Sequence, residues 1–514
     1  MLQHIHITDL SYTPPTAAEP LFTGLSATFS TSWTALLGDN GIGKTTLCRL
    51  AAGELKPETG GISPASLRAA WIEQQTDRRP PNLDDFAADW SPETMRLRTL
   101  LAIADDWPYR WESLSGGERK KLQVACALAV DPELLIADEP TNHLDAPVRD
   151  AVIEALRRFG GIGIVITHDV TVIDRLASHS YLLHRVHTDH GNHTVIDLFE
   201  GNWDDISRQL DVRNAARQQQ LRQRRQEVRR LTDEQRRRQE KVRQVSAKIL
   251  RTPDRKDHDA CKAKKFARGG LDGGVGRSAG QLAGRIAEAR QAAQGISVAA
   301  KRYDGDLAVD IEPSSRRELL HLDAQILPFD PADDHATTIV PVNRAMPDGS
   351  RLHIETVTDA AGVEIPQLSV GPQDRLAITG ANGAGKTTVL TALLRSLDAD
   401  VPQLVCTQHT PDAETLLRRF DEHAANERQH IIRHFAALNG KPETLLSAAD
   451  LSAGERRKLM LAMGLVNRPQ IMVFDEPTNH LDLSSKQALA ALLSQYRGAL
   501  VIVTHDELLL RTLH

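Results

Sequence analysis

The sequence predicts an α/β protein built from two phosphate-loop domains, each a mainly parallel sheet flanked by helices, joined by an α-helical hairpin linker. Three observations carry that expectation. First, the 514-residue chain repeats itself: GDNGIGKTT (38–46) returns as GANGAGKTT (380–388), LSGGERKKL (114–122) as LSAGERRKL (451–459), LLIADEPTNHLD (134–145) as IMVFDEPTNHLD (471–482), and VITHD (165–169) as VIVTHD (501–506). Glu139 to His168 spans 29 residues and Glu476 to His505 spans 29, so one module is duplicated around a dissimilar middle. Second, WTALLG, ELLIAD and GIVIT are short, apolar and rich in β-formers, as strands covered on both faces must be. Third, the middle carries a narrow apolar stripe with a helical period instead of those motifs.

Composition narrows the class. A chain this long exceeds what one core supports, so two or three domains are expected. No apolar run approaches the roughly 18 residues of a membrane span, and MLQHIHITDL lacks the basic-then-apolar layout of a secretory leader. The cysteines Cys48, Cys126, Cys261 and Cys406 show no C-x-x-C spacing, which predicts reduced thiols in the cytoplasm and neither zinc nor a disulfide framework. The net charge of −6 is unevenly spread: residues 211–290 hold 23 Lys and Arg against 10 Asp and Glu, a balance of +13 that leaves −19 elsewhere. A basic middle between acidic ends points to an anionic partner for the middle.

Within the first module (1–203) the strand WTALL runs into Gly38, Asp39, Asn40, Gly41, Ile42, Gly43, Lys44, Thr45 and Thr46, and a helix follows. Strand, glycine-rich turn and helix in that order form a phosphate-binding loop: free backbone N–H groups and the helix N-terminus face the anion. Lys44 would reach the β- and γ-phosphates and the Thr45 hydroxyl would ligate Mg²⁺. Amphipathic helices are expected at 118–130 and 455–467, each after a Ser- and Gly-containing cap. Asp138 ends an apolar strand, at the edge where α/β proteins bind ligands, and would hold Mg²⁺. Glu139, next to it, is placed to polarise an attacking water as general base, and His168, ending another apolar strand, can reach the γ-phosphate.

The second module (303–514) repeats this with Gly380, Ala381, Asn382, Gly383, Ala384, Gly385, Lys386, Thr387 and Thr388, then Asp475, Glu476 and His505. A lone match of either loop, or a lone histidine, reads as well as ordinary loop or core. Two copies in one order do not.

LSGGE together with both phosphate-site elements resembles the ATP-binding cassette ATPases, and DEPTNHLD, present twice, resembles their ABC-F class, in which one chain carries two cassettes and no membrane domain. The resemblance spans nearly the whole chain. It implies ATP and Mg²⁺ as ligands, ATP hydrolysis, and a monomer whose two cassettes close head-to-tail on two nucleotides. One site would join Lys44, Thr45, Asp138, Glu139 and His168 to Ser452, Ala453 and Gly454 of the other half. The second would join Lys386, Thr387, Asp475, Glu476 and His505 to Ser115, Gly116 and Gly117. Gln74 and Gln408 sit where the family carries a Mg²⁺-contacting glutamine, with Gln75 an immediate rival to Gln74, and Tyr12 matches the aromatic that stacks on adenine.

There are departures from the family pattern. Ala453 replaces a glycine, which weakens the Lys44 site if that position needs φ > 0 and is harmless if it is a first helical turn. Asp359 aligns with Tyr12, so the second site lacks its aromatic and the two sites are expected to be unequal. Cassette one runs 35 residues past His168 to GNW (201–203), whereas the sequence ends nine residues past His505.

The linker (204–302) reads as two helices. Leu221, Val228, Leu231, Val242, Val245 and Ile249 fall on a 3.5-residue repeat, and Leu282, Ile286, Ala289, Ala293 and Ile296 form a small-residue stripe to face them. Between lies a Gly-, Lys- and Arg-rich tip, 252–280, with Lys262, Lys264, Lys265 and Arg268 as candidate RNA contacts. By composition alone the segment is equally a solvated spacer. The resemblance implies a ribosomal partner, rRNA and tRNA, reached through this linker, in translation regulation, rescue or antibiotic protection. A DNA-repair ATPase would use the same basic hairpin, and an exporter motor is the remaining alternative.

Overall fold

The computed structural model describes residues 4–15, 17, 19–142, 144–188, 191–250, 282–289, 311–328, 358–359, 362–446 and 451–512. The candidate tip residues Lys262, Lys264, Lys265 and Arg268, along with Cys261, lie outside them.

In the first module the elements run β1 (His4–Tyr12), β2 (Phe22–Ser30), β3 (Trp33–Leu37), α1 (Lys44–Ala51), β4 (Thr59–Ser63), β5 (Ala69–Ile72), α2 (Leu83–Ala88), α3 (Pro92–Leu100), α4 (Gly116–Ala129), β6 (Leu134–Asp138), α5 (Ala146–Arg157), β7 (Ile162–Ile166), α6 (Val170–Leu176), β8 (His179–Thr188) and β9 (Gly191–Glu200). The strands form one sheet in the order β4-β1-β2-β9-β8-β3-β7-β6-β5, parallel from β8 through β5; on the other side β8–β9, β1–β2 and β1–β4 are antiparallel and β2 meets β9 in a short parallel contact.

The uninterrupted apolar runs are explained by what covers them. Successive residues of a strand point to opposite faces. Ala35, Leu37, Leu135, Ala137 and Val165 therefore join one core under α2, α4 and α5, whereas Leu36, Leu134, Ile136, Ile164 and Ile166 join another under α1 and the β1–β2 strands. With both faces buried there is no polar face to leave in the sequence.

The second module is built likewise. It comprises α9 (Lys386–Ser396), α10 (Ala413–Glu422), α11 (Ala425–Ala437), α12 (Pro442–Leu446), α13 (Ala453–Val466), α14 (Leu483–Gln495) and α15 (Glu507–Thr512) around four parallel strands. These are β15 (Arg375–Ile378), β16 (Gln403–Cys406), β17 (Ile471–Asp475) and β18 (Ala499–Val503), ordered β15-β18-β17-β16. Short antiparallel pieces precede them: β10 (Leu320–Leu322) pairs with β14 (Leu368–Val370), and β11 (Gln325–Pro328) and β12 (Thr358–Asp359) flank β13 (Gly362–Ile365). Asp138 pairs with Ile166 across β6 and β7, and Asp475 with Val503 across β17 and β18, so each strand-end aspartate has its THD histidine two residues beyond its neighbour.

Between the modules, α7 (Trp203–Leu250) is a 48-residue helix whose described arginine side chains face solvent. Leu231 on α7 packs with Leu282, Ile286 and Ala289 of a second helix, α8 (282–289), and Val228 flanks them. That is the anticipated hairpin seam, reduced among the described residues to one apolar layer.

The two modules meet directly. Leu483 is buried in the first module's core and Leu508 packs against it. Asp145 Oδ2 accepts from the Asn382 N–H at 2.9 Å, and Ser484 Oγ donates to Asp39 Oδ1 at 2.8 Å.

Candidate nucleotide sites

Each phosphate loop is held open by glycines whose backbones turn left-handed. Gly38 has φ 140°, and a Cβ there would lie 2.5 Å from the Leu183 carbonyl oxygen, so only glycine fits. Lys44 and Lys386 open α1 and α9, each lying back on its own loop. Lys44 Nζ donates to Gly38 O at 2.6 Å and Asp39 O at 3.1 Å, and Lys386 Nζ to Gly380 O at 2.8 Å and Ala381 O at 2.9 Å. Burial holds both lysines below their ordinary range. Lys44 Nζ also lies 3.4 Å from His168 Nε2. A buried ammonium held mainly by neutral carbonyl oxygens is set to receive an anion.

Beside each lysine is an oxygen cluster suited to a hard cation. Thr45 Oγ1 donates to Asp138 Oδ2 at 3.1 Å, and Gln408 Nε2 to Asp475 Oδ1 at 3.4 Å. Burial raises both aspartates, only partly opposed by those hydrogen bonds and the nearby lysines. Two carboxylates disfavoured by burial, each beside a hydroxyl or a side-chain amide, suit Mg²⁺, which takes few protein ligands. The residues therefore fit ATP with Mg²⁺, the metal supplying charge neutralisation at the phosphates.

The glutamates occupy unusual backbone. Glu139 (φ 45°) and Glu476 (φ 48°) are left-handed, and each is fixed by its N–H to the adjacent strand, on Ile166 O at 2.9 Å and Val503 O at 2.8 Å. Burial pushes each carboxyl up to about 7. His168 Nε2 lies 3.5 Å from Glu139 Oε1, and His505 Nε2 lies 3.7 Å from Glu476 Oε1. His168 Nδ1 accepts the Leu483 N–H at 3.2 Å, so the ring proton sits on Nε2 and points toward Glu139 and Asn40 Oδ1, the latter at 3.3 Å. Burial and neighbouring lysines keep His168 neutral and hold His505 near 4. Glu476 Oε1 and His505 Nε2 are buried with no hydrogen-bond partner among the described residues, an arrangement that calls for a ligand.

Two cavities enclose these groups, each lined from both modules. The one at Lys44, about 530 Å³, includes Asn40, Gly41, Gly43, Thr45, Thr46, Gln74, Asp138, Glu139 and His168, with Thr478, His480, Leu481 and Lys486 from the other half. The one at Lys386, about 720 Å³, includes Asn382, Gly383, Gly385, Thr387, Thr388, Gln408, Glu476 and His505, with Thr141, Asn142, Leu144 and Arg149 opposite. Gln74 thus lines the nucleotide cavity as well as an adjoining one between β5 and α4, whereas Gln75 lines only the adjoining one.

Some expected neighbours are elsewhere. Neither Ser115, Gly116 and Gly117 nor Ser452, Ala453 and Gly454 line either cavity. Ser115 Oγ donates to Glu118 Oε2 at 2.9 Å and Ser452 Oγ to Glu455 Oε2 at 3.0 Å, each hydroxyl closing a capping box on its own helix. Gly116 and Ala453 are first helical residues, and a Cβ on Gly116 meets nothing within 4 Å, so the alanine is accommodated without strain. Tyr12 ends β1 and packs on the apolar core, and Pro14, Ala17 and Leu21 line the cavity in its place. Arg149, Lys486, Arg185 and His409 line cavities without having been singled out from sequence. For Arg149 and Lys486 the signal was present: both stand four residues after the final aspartate of DEPTNHLD.

Paired phosphate loops, strand-end acids and crossed lining define a twin-module nucleotide-binding protein of the ATP-binding cassette class. The ABC transporter family profile matches residues 23–142 and 363–479. The chain is 25% identical over 493 residues to the ribosome protection protein VmlR of Bacillus subtilis (strain 168), covering 92% of this chain and 78% of that one. It is 28% identical over 539 residues to the tylosin resistance ATP-binding protein TlrC of Streptomyces fradiae, covering 92% and 89%. Among solved structures, an RNase-L inhibitor shares the fold at a TM-score of 0.57 and 16% identity, over 98% of this chain and 86% of that one. No helix among the described residues is long and apolar enough to cross a membrane. The chain belongs to the ATP-binding cassette family, in its twin-cassette ABC-F class.

Proposed function

We propose that this protein binds and hydrolyses ATP at two composite sites, and that cassette closure positions the basic linker (204–302) on the ribosome, in translation regulation, rescue or antibiotic protection. The observation that carries the ATPase reading is the repeated set of Lys44, Thr45, Asp138, Glu139 and His168 with Lys386, Thr387, Asp475, Glu476 and His505, each completed by the opposite cassette. In this reading the phosphate loop and lysine bind the phosphates, and Thr45, Asp138 and Gln74 (Thr387, Asp475 and Gln408 in cassette two) hold Mg²⁺. The glutamate accepts a proton from the attacking water, and the neutral histidine donates from Nε2 toward the γ-phosphate. Ser115 and Ser452 would join on further closure, once nucleotide competes for their hydroxyls.

The ribosomal partner is supported by the relatives' described roles in ribosome protection and drug resistance. It is also supported by exposed Arg222, Arg225, Arg229, Arg230 and Arg237 along α7, which suit a phosphate backbone. Ribosome binding would place the protein in the cytoplasm. The test is cosedimentation of a Glu139→Gln/Glu476→Gln variant with ribosomes in the presence and absence of ATP, alongside branched DNA. ATP-dependent enrichment on ribosomes is expected. Equal recovery with and without ATP, or enrichment on DNA junctions alone, would reject the ribosomal reading.

A further inference from the structure

We propose that Arg149 and Lys486 are positioning residues acting in trans, each fixing the THD histidine segment of the opposite cassette, so that each ATP site is completed by a cation from the other half. The inference rests on the ATPase reading for its kinetic consequence and on geometry for its structural one.

Arg149 lies in the first turn of α5 and Lys486 in the first turn of α14, four residues after Asp145 and Asp482, which cap those helices. Arg149 Nη1 donates to the His505 carbonyl at 3.2 Å, and its Nη2 reaches Glu507 Oε1 at 3.3 Å. Lys486 Nζ donates to the His168 carbonyl at 3.3 Å and pairs with Asp506 of its own half at 2.9 Å. The same bond is therefore made twice, in opposite directions, by different side chains at equivalent positions.

Burial argues that the contacts have a purpose. The Arg149 and Lys486 side chains are 9% and 14% exposed, and desolvating a cation is costly unless its partners are well placed. Each lines the cavity it would serve: Arg149 the one around Lys386, and Lys486 the one around Lys44, though Lys486 also borders the Lys386 cavity beside Asp506. The α14 start holds His168 at two points, because the Leu483 N–H also fixes its ring. Loss of Lys486 leaves that ring bond in place but frees the carbonyl, letting Nε2 drift from the position it shares with Glu139.

The crossing supplies the test. In a Glu476→Gln background only the Lys44 site turns over, and in a Glu139→Gln background only the Lys386 site does. Lys486→Met should lower kcat about tenfold in the first background and several-fold less in the second, where only its pair with Asp506 is lost, with KM for ATP little changed. Arg149→Met should show the mirror pattern, and Lys486→Arg and Arg149→Lys should restore most of the rate. Losses confined to each residue's own cassette, or no rescue by the conservative variants, would overturn the assignment. Hydrogen exchange reads it without turnover: Lys486→Met should speed exchange at 166–170 and Arg149→Met at 504–508, and unchanged exchange at both would overturn it even if the wild type hydrolyses ATP. A wild type that fails to hydrolyse ATP removes the proposed function, and the exchange experiment still decides this inference. Should the methionine variants not fold, Lys486→Gln and Arg149→Gln are read by the same measurements.

Discussion

Glu139 and Glu476 hold the clearest residue-scale signature of work, because two costs coincide on each. A left-handed non-glycine backbone costs on the order of 1–3 kcal/mol, and burial raises both carboxyls to about 7. A glutamate whose folded pKa exceeds its unfolded value binds its proton more tightly when folded. Its contribution to stability is then full below about pH 4.5 and is lost as pH rises through about 7. The loss is on the order of 3 kcal/mol per glutamate at pH 8. In nucleotide-free buffer with divalent cations chelated, Glu139→Gln/Glu476→Gln should therefore melt higher than wild type at pH 8 and nearly level with it at pH 5. A melting difference that does not change with pH would contradict buried, proton-retaining carboxyls. Ala453 makes the opposite prediction: it sits on ordinary helical backbone, so Ala453→Gly should leave ATP turnover at the Lys44 site within about twofold and lower helix stability by at most about 1 kcal/mol. A large gain in turnover would show that the methyl obstructs nucleotide.

At the scale of elements, periodicity carried most of the fold. The buried strands were legible as unbroken apolar runs, and α4 and α13 begin at the Ser-x-x-Glu boxes that mark a helix start. The α7–α8 seam was legible as well, since a 3.5-residue stripe needs a partner and 282–289 supplies one. What could not be read were contacts created only by folding one half onto the other. Neither Leu483 entering the first core nor its N–H fixing the His168 ring follows from any local pattern. Ser115 and Ser452 show the reverse: the residue types were legible, but each hydroxyl satisfies its own helix end. The seam makes its own prediction. Leu231→Ala opens a cavity in a four-residue layer, a change that costs about 2–5 kcal/mol in well-packed cores. Amide exchange in α7 around 228–235 should accelerate while the cassette strands β6 and β17 keep their protection; unchanged exchange there would mean the hairpin is held by something other than this layer.

At the scale of the whole molecule, charge separates the parts that meet nucleotide from the part proposed to meet RNA. The segment 211–290 carries +13 while the remainder carries −19, and exposed arginines line α7, which leads along the chain to the basic stretch 252–280. An acidic body would repel a nucleic acid everywhere except along this arm, so the field itself would orient the encounter. Binding through backbone phosphates releases counterions, and the logarithm of affinity falls with the logarithm of salt by about 0.7 per phosphate neutralised on single-stranded RNA. If the arm neutralises about six phosphates, ATP-dependent ribosome association of the Glu139→Gln/Glu476→Gln variant should fall with a slope near −4. Changing Lys262, Lys264, Lys265 and Arg268 to Gln should flatten that slope by about 3 if all four meet phosphates. Equilibrium binding from 50 to 300 mM KCl measures both slopes. A variant that binds more weakly with an unchanged slope would place the phosphate contacts on α7 instead of the tip.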